Sequence, residues 1–213
     1  MVLLGKELVF PPVEMTSAEG IIAFGGDLRP ERLILAYQNG IFPWYNEGEP
    51  IIWYCPEDRM VLFPHELRIS KSMRQLMRNN TFRITSNTAF EQVISQCQKS
   101  PRKDQLGTWI TNDMKQAYLK LHELGFAKSI EVWQDDKLVG GLYGIDLGHI
   151  FCGESMFSKE SNTSKLAFIH LVQQLEKEQY KLIDCQVYNE HLESLGAREI
   201  SRSEFIGFLR VKD

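Results

Sequence analysis

Ser129-Ile130-Glu131-Val132-Trp133-Gln134, Leu138-Val139-Gly140-Gly141-Leu142-Tyr143-Gly144-Ile145 and Ile150-Phe151-Cys152-Gly153-Glu154-Ser155-Met156 follow one another with short gaps between them. The runs are apolar, bounded by turn residues and shorter than an ordinary helix, which makes them strands. Asp135-Asp136 and Leu147-Gly148 lie in the gaps, so the three predict an antiparallel meander. Upstream, residues 70–79 and 111–124 predict helices, the second with Met114, Ala117, Tyr118 and Leu121 on one face and Gly125 as its stop. Between these two lie a short strand at 82–85 and a capping box, Thr88-x-x-Glu91, opening a helix that buries Val93, Ile94 and Cys97. Downstream, a long helix at 164–178 leads to a further strand, Leu182-Ile183-Asp184-Cys185-Gln186-Val187.

Helices, then a meander, then a helix and one more strand make a mixed α/β (α+β) sheet. The succession suits an N-acetyltransferase-like domain over residues 61–213. Residues 1–60 read differently, as a small, loop-rich N-terminal domain with one clear helix at 30–39, stopped by Gly40. Pro11-Pro12, Gly25-Gly26 and Phe42-Pro43-Trp44 punctuate it. Its aromatic density (Phe42, Trp44, Tyr45, Trp53, Tyr54) predicts packing on the larger domain.

The chain has 213 residues, 43% apolar and 24% charged, the profile of an ordinary soluble globular protein. No apolar run has the length of a membrane helix. The first ten residues carry Lys6 and Glu7 and lack a signal-peptide layout, so the expected location is the cytoplasm. Cys55, Cys97, Cys152 and Cys185 are far apart, and the five histidines form no metal-spaced pair; free buried thiols and no metal are expected. The net charge of −4 conceals a basic stretch. Residues 66–103 hold eight basic residues against Glu66 and Glu91, a local +6 that leaves −10 elsewhere and points to an anionic partner. Within it, Lys71, Arg74 and Arg78 fall on one side of the 70–79 helix, opposite Ile69, Met73, Leu76 and Met77. No acid stands at i±4 to offset that stripe. A solvated face is the plain reading; phosphate binding is the better one.

The last strand carries polar groups that a core has no use for. Asp184 and Gln186 stand two apart, so an extended backbone points both one way, and Ile183, Cys185 and Val187 the other. Buried, such a pair must be hydrogen-bonded, either to a ligand or within the protein. A cysteine nucleophile built from Cys185, His191 and Asp184 fails on this geometry, because Cys185 faces away from Asp184. Acetyl-coenzyme A chemistry fares no better. The turn Ser158-Lys159-Glu160-Ser161-Asn162-Thr163 has no glycine to bring backbone N–H groups onto a pyrophosphate. Gly140, Gly141 and Gly144 inside a strand mark a bulge or a close backbone approach.

Phe151-Cys152-Gly153-Glu154-Ser155-Met156-Phe157-Ser158 and Lys181-Leu182-Ile183-Asp184-Cys185-Gln186-Val187-Tyr188-Asn189 resemble segments of the leucyl/phenylalanyl-tRNA–protein transferases. So do Phe24-Gly25-Gly26-Asp27-Leu28, Gly40-Ile41-Phe42-Pro43-Trp44, Gly107-Thr108-Trp109-Ile110 and the first two meander runs, in the same order. The likeness spans about Gly20 to Phe208. It implies transfer of leucine (also phenylalanine or methionine) from aminoacyl-tRNA to proteins with N-terminal Arg or Lys, marking them for degradation, with no cofactor. The resemblance implies that Asp184 and Gln186 hold and orient the incoming amine, and that Glu154 supplies a second carboxylate. It gathers Trp44, Trp109, Tyr118, Phe151 and Met156 around the amino-acid side chain and the tRNA 3′ adenosine. Leu171 and Leu175 stand where the family often has aromatic residues, and Leu142 where it has methionine, so the pocket shape is expected to differ. Glu154 and Phe151 alternate on a regular strand; both reach one site only if the strand bulges at Gly153. A Fem-type amide-forming transferase and a non-catalytic tRNA-binding module are the other classes compatible with these residues.

Overall fold

The computed structural model describes residues 2–100 and 110–210. Strands β1 to β11 and helices α1 to α7 form two sheets with helices packed on them. The meander is present as β7 (Ala127–Gln134), β8 (Lys137–Asp146) and β9 (Ile150–Ser158), each one or two residues longer than expected at one or both ends. Asp135 (φ 53°) and Gly148 (φ 83°) take the left-handed conformation in its turns. Helix α5 (Thr163–Lys177) crosses over to β10 (Leu182–Gln186), which pairs parallel with β9. Strands β5 (Asp58–Leu62), β6 (Arg83–Ser86) and β11 (Arg198–Ser201) complete a seven-stranded mixed sheet, ordered β11-β5-β10-β9-β8-β7-β6. This is the mixed α/β class expected.

Both faces of the sheet are covered. On one, α5 packs against Met60, Leu62, Ile130, Leu142, Phe151 and Ile183. On the other, α3 (Phe90–Lys99) and α4 (Asn112–Glu123) pack against Tyr143, Ile145, Ile150, Cys152 and Leu182. The alternation of Ile150, Phe151 and Cys152 between the two cores follows from the two-residue period of a strand. Helix α2 (Lys71–Arg78) lies beside the first core through Met73. Among the described residues no helix is long and apolar enough to cross a membrane.

The N-terminal region carries more structure than its sequence announces. Beside α1 (Pro30–Gln38), strands β1 (Val2–Leu4), β2 (Ile21–Gly25), β3 (Phe42–Pro43) and β4 (Ile52–Tyr54) form a four-stranded sheet, ordered β1-β2-β4-β3. These strands run two to five residues and are interrupted by proline and glycine, too little for a periodic signal. Leu33, Tyr37, Ile41 and Trp53 share a continuous core with Tyr118 and Tyr143 of the larger unit. The α6 turn (Glu190–Glu193) and α7 (Arg202–Arg210) close the chain, with Phe205 of α7 buried.

One helix start differs from expectation. Helix α3 begins at Phe90 with no side-chain cap, so Thr88 and Glu91 do not form a capping box. The Thr88 hydroxyl instead donates to the buried Glu131 (2.9 Å), which also accepts from Thr85 and Ser129 (both 2.6 Å). A buried carboxylate gains more from those donors than an exposed cap contributes. The meander glycines mark close approaches. A Cβ at Gly140 would collide with Thr163, one at Gly141 with the Ile130 carbonyl, and one at Gly144 with the Cys152 carbonyl and the Phe151 ring.

Candidate active site

Two irregular strands meet at the site. Opposite β8, the register of β9 jumps: Tyr143 faces Ser155 and Gly144 faces Gly153, leaving Glu154 as the extra residue of a bulge. Phe151 and Glu154 therefore reach the same cavity, the condition that a regular strand could not meet. Strand β10 breaks register between Asp184 and Gln186, and Gln186 sits at φ 67°. A non-glycine residue held in that conformation is a local cost the surroundings must offset. It is offset here on both sides of the residue. The Gln186 N–H donates to Asp184 Oδ1 (2.9 Å), and its Nε2 donates to Glu154 Oε1 (2.8 Å).

The cavity is about 470 Å³. Leu142, Phe151, Met156, Phe168, Leu171 and Ile183 give it an apolar wall; Glu154, Ser155, Gln186 and Asn189 give it a polar one, and Trp44 stands in its lining. Glu154 is held on three sides. Tyr37 donates to Oε1 (2.7 Å) and Tyr118 to Oε2 (2.8 Å), besides the Gln186 amide, and the two phenol hydroxyls contact each other. Burial pushes the Glu154 carboxyl up to about 7, against the lowering effect of Tyr37, Tyr118 and Gln186, with the nearby Asp184 raising it further. A carboxyl in that range exchanges its proton near neutral pH.

Three of the expected placements change. Asp184 does not line the cavity. It is 0% exposed, and its oxygens take Arg59 Nε (2.8 Å) and Nη2 (2.6 Å) in a two-pronged ion pair. The physical reason is that a buried carboxylate needs a countercharge, and Arg59, at 1% exposed, has the same need. Arg59 also donates to the Gly40 carbonyl (3.0 Å) and lies against the rings of Phe42 and Phe205. Tyr118 likewise is fully buried behind the cavity, its hydroxyl committed to Glu154 and Tyr37. Leu175 lines a smaller cavity of about 190 Å³, which shares Phe151 and Leu171 with the first. Trp109 lies outside the described residues.

Leu142, Phe151, Met156, Leu171, Trp44, Glu154 and Gln186 come together as expected. Cys185 does line the cavity while Asp184 does not, so the two face apart, and burial pushes the Cys185 thiol well above its ordinary range, unfit for a nucleophile. Lys71, Arg74 and Arg78 are exposed on α2, and none is paired with a described acidic side chain. At the start of α5, Ser158 Oγ accepts from the Ser164 N–H (2.9 Å) and Thr163 N–H bonds Glu160 (3.2 Å), so two of the first N–H groups are used within the protein.

Arg59 and Tyr37 were not singled out from sequence. For Arg59 a signal existed: an arginine heading the apolar run Met60-Val61-Leu62-Phe63 needs a buried anion, and Asp184 was an anion without a partner. Tyr37 has no such signal, being one more aromatic on an amphipathic helix.

The family model described as leucyl/phenylalanyl-tRNA protein transferase matches residues 61–210, and that of its N-terminal domain matches 26–57. A leucyl/phenylalanyl-tRNA–protein transferase of Flavobacterium johnsoniae is 63% identical over 100% of both chains. One from Flavobacterium psychrophilum is 56% identical over 99% of this chain and 100% of that one. Among solved structures, a GCN5-related N-acetyltransferase from Kribbella flavida overlaps with a TM-score of 0.44 at 9% identity, covering 79% of this chain and 60% of that one. L-PGS from Bacillus licheniformis gives 0.43 at 12%, covering 79% of this chain and about half (53%) of that one. On the match of both family models and of relatives along the whole chain, this protein belongs to the leucyl/phenylalanyl-tRNA protein transferase family, and so to the aminoacyltransferases.

Proposed function

We propose that the protein moves leucine, phenylalanine or methionine from aminoacyl-tRNA to the N-terminal Arg or Lys of acceptor proteins in the cytoplasm, marking them for degradation as N-degrons. The observation that carries this reading is one cavity with an apolar wall and the Glu154–Gln186 pair facing it. The apolar wall suits a leucyl or phenylalanyl side chain. Discrimination by single methylenes is only about 1–3 kcal/mol each, so use of several apolar amino acids is natural. Glu154 and Gln186 suit the acceptor's ammonium and cationic first side chain. Asp184 acts at one remove in this reading, fixing the Gln186 backbone through its N–H and keeping Arg59 in place. Trp44 and Trp109 are assigned to the tRNA 3′ adenosine, and residues 1–60 and 61–213 to an N-terminal and a catalytic domain.

The chemistry asks little beyond positioning. The ester is already activated, and bringing it to the amine in attack geometry is worth about 7–11 kcal/mol. An α-amine of pKa near 7.7–8.0 is roughly one-tenth neutral at pH 7. Purified protein given radiolabelled leucyl-tRNA and an Arg-initiated peptide is expected to label the peptide without ATP, metal or coenzyme A. Label on a peptidoglycan precursor instead would make this a Fem-type enzyme, and tRNA binding with no transfer would make it a binding module.

The exposed Lys71/Arg74/Arg78 stripe is assigned to tRNA phosphates. Replacing all three by Ala is expected to weaken binding of every tRNA species about equally and to lower the slope of log affinity against log salt by about 2–3. Filter-binding titrations at several salt concentrations measure both; an unchanged slope moves the tRNA surface elsewhere.

A further inference from the structure

We propose that Tyr37, on the N-terminal helix α1, is a positioning residue for the transfer: with Tyr118 it holds Glu154 as the acceptor of the proton that the attacking amine gives up. The inference rests on the transfer reading above. Tyr37 touches Oε1, Tyr118 touches Oε2, and the two hydroxyls touch each other. With Glu154 ionised, two phenolic protons serve three oxygen–oxygen contacts. One further proton on Glu154 closes a ring in which each group donates once and accepts once. The acceptor's α-ammonium supplies it: an N–H bond breaks and an O–H bond forms on Glu154. The neutral amine then adds to the ester carbonyl. As the carbon–oxygen bond to the tRNA ribose breaks, a second proton from that nitrogen passes to the departing oxygen. The ring finally releases its proton to solvent, one for each amide formed.

Other groups face Glu154. Asp184 and Gln186 act on it from β10 and Cys152 from its own strand, Tyr143 of β8 acts on Tyr118, and Arg59 on β5 neutralises Asp184. Burial and Asp184 favour the protonated carboxyl, while Tyr37, Tyr118 and Gln186 favour the ionised one, the balance lying at about 7. Removing the Tyr37 hydroxyl costs the ionised form a charge-assisted hydrogen bond and the protonated form a neutral one, about half as strong. Tyr37→Phe therefore makes Glu154 harder to ionise.

Infrared titration of the full chain tests this, following the protonated-carboxyl stretch that Glu154→Gln abolishes. Tyr37→Phe is expected to raise its midpoint by about one pH unit, a tenfold change in proton affinity, and Tyr118→Phe to move it the same way. The acid limb of kcat/KM for leucine transfer should rise equally, with activity recovered at alkaline pH; one peptide throughout keeps the amine's own titration constant. A loss of rate equal at every pH would make Tyr37 merely structural. Midpoints that stay put or fall in both variants, while the wild-type chain transfers leucine, overturn the inference alone. A wild-type chain that transfers nothing overturns the reading beneath it.

Discussion

Asp184→Ala is expected to cost about 3–5 kcal/mol of folding stability, the usual consequence of stranding one half of a buried ion pair. The stranded half is Arg59. Two of its nitrogens bond Asp184, at 2.8 and 2.6 Å; among the described residues that leaves the Gly40 carbonyl bond and the rings of Phe42 and Phe205 around a buried cation. The desolvation cost of that cation is what appears in urea unfolding. Exchanging both partners for apolar residues of similar size, Asp184→Leu with Arg59→Met, removes both charges and should recover most of the loss. A single-variant loss below about 1 kcal/mol would show that Arg59 finds another anion or water, and the pair would lose its structural role. The same physics governs how activity at this position is read. A dead Asp184→Ala enzyme does not identify a base unless the folded fraction is measured beside it.

Glu154→Gln separates chemistry from folding more cleanly. The amide oxygen accepts from Tyr37 and Gln186 as Oε1 does, and the NH₂ group donates to Tyr118, so the variant imitates the protonated carboxyl. Stability at pH 4, below the unfolded carboxyl's ordinary value of 4.5, is expected to change by less than about 1 kcal/mol, within the range of one hydrogen bond. Peptide transfer is expected to fall by about tenfold at pH 7, because roughly one-tenth of the α-amine is neutral there without a proton acceptor, and to recover as the pH rises through the amine's pKa near 7.7–8.0. The pH dependence carries a sign. With its carboxyl raised from 4.5 to about 7 in the fold, Glu154 favours the native state most below the unfolded value. That contribution is lost as the pH rises through about 7. The Gln variant should lack this part of the stability curve, seen in thermal melts from pH 4 to 9. Transfer by Glu154→Gln at the wild-type rate would take the proton-accepting role away from this residue.

The larger sheet was legible because its pattern is local. Strands β7, β8 and β9 are largely apolar runs of eight, ten and nine residues with turn residues between them. Helices α2 and α4 start on side-chain caps, Ser70 and Thr111, the first residues of the expected 70–79 and 111–124 helices. Motif likeness and the faces of single elements are written in the same local way. The resemblance therefore named the family, and the basic face of α2 was visible without coordinates. The small N-terminal sheet was not legible, because two-to-five-residue strands hold too few positions to establish a period.

By itself, then, the sequence determined the element order from α2 to β10, the mixed sheet and, through the resemblance, the family and the grouping of Leu142, Phe151, Met156 and Leu171. Only the tertiary structure decided what each polar group near that wall does. Asp184 and Gln186 differ by two positions and were expected to act alike. The break in β10 leaves Gln186 in the cavity and Asp184 behind it, bound to an arginine 125 residues away. Glu154 was visible as an odd carboxylate, but its two phenols come from positions 117 and 36 residues distant. Whether a buried carboxylate is a structural countercharge or a proton acceptor depends on the partner it meets, an arginine in one case and hydroxyls in the other. Such partners are brought together by packing across the sheet, and no local pattern of residues records them.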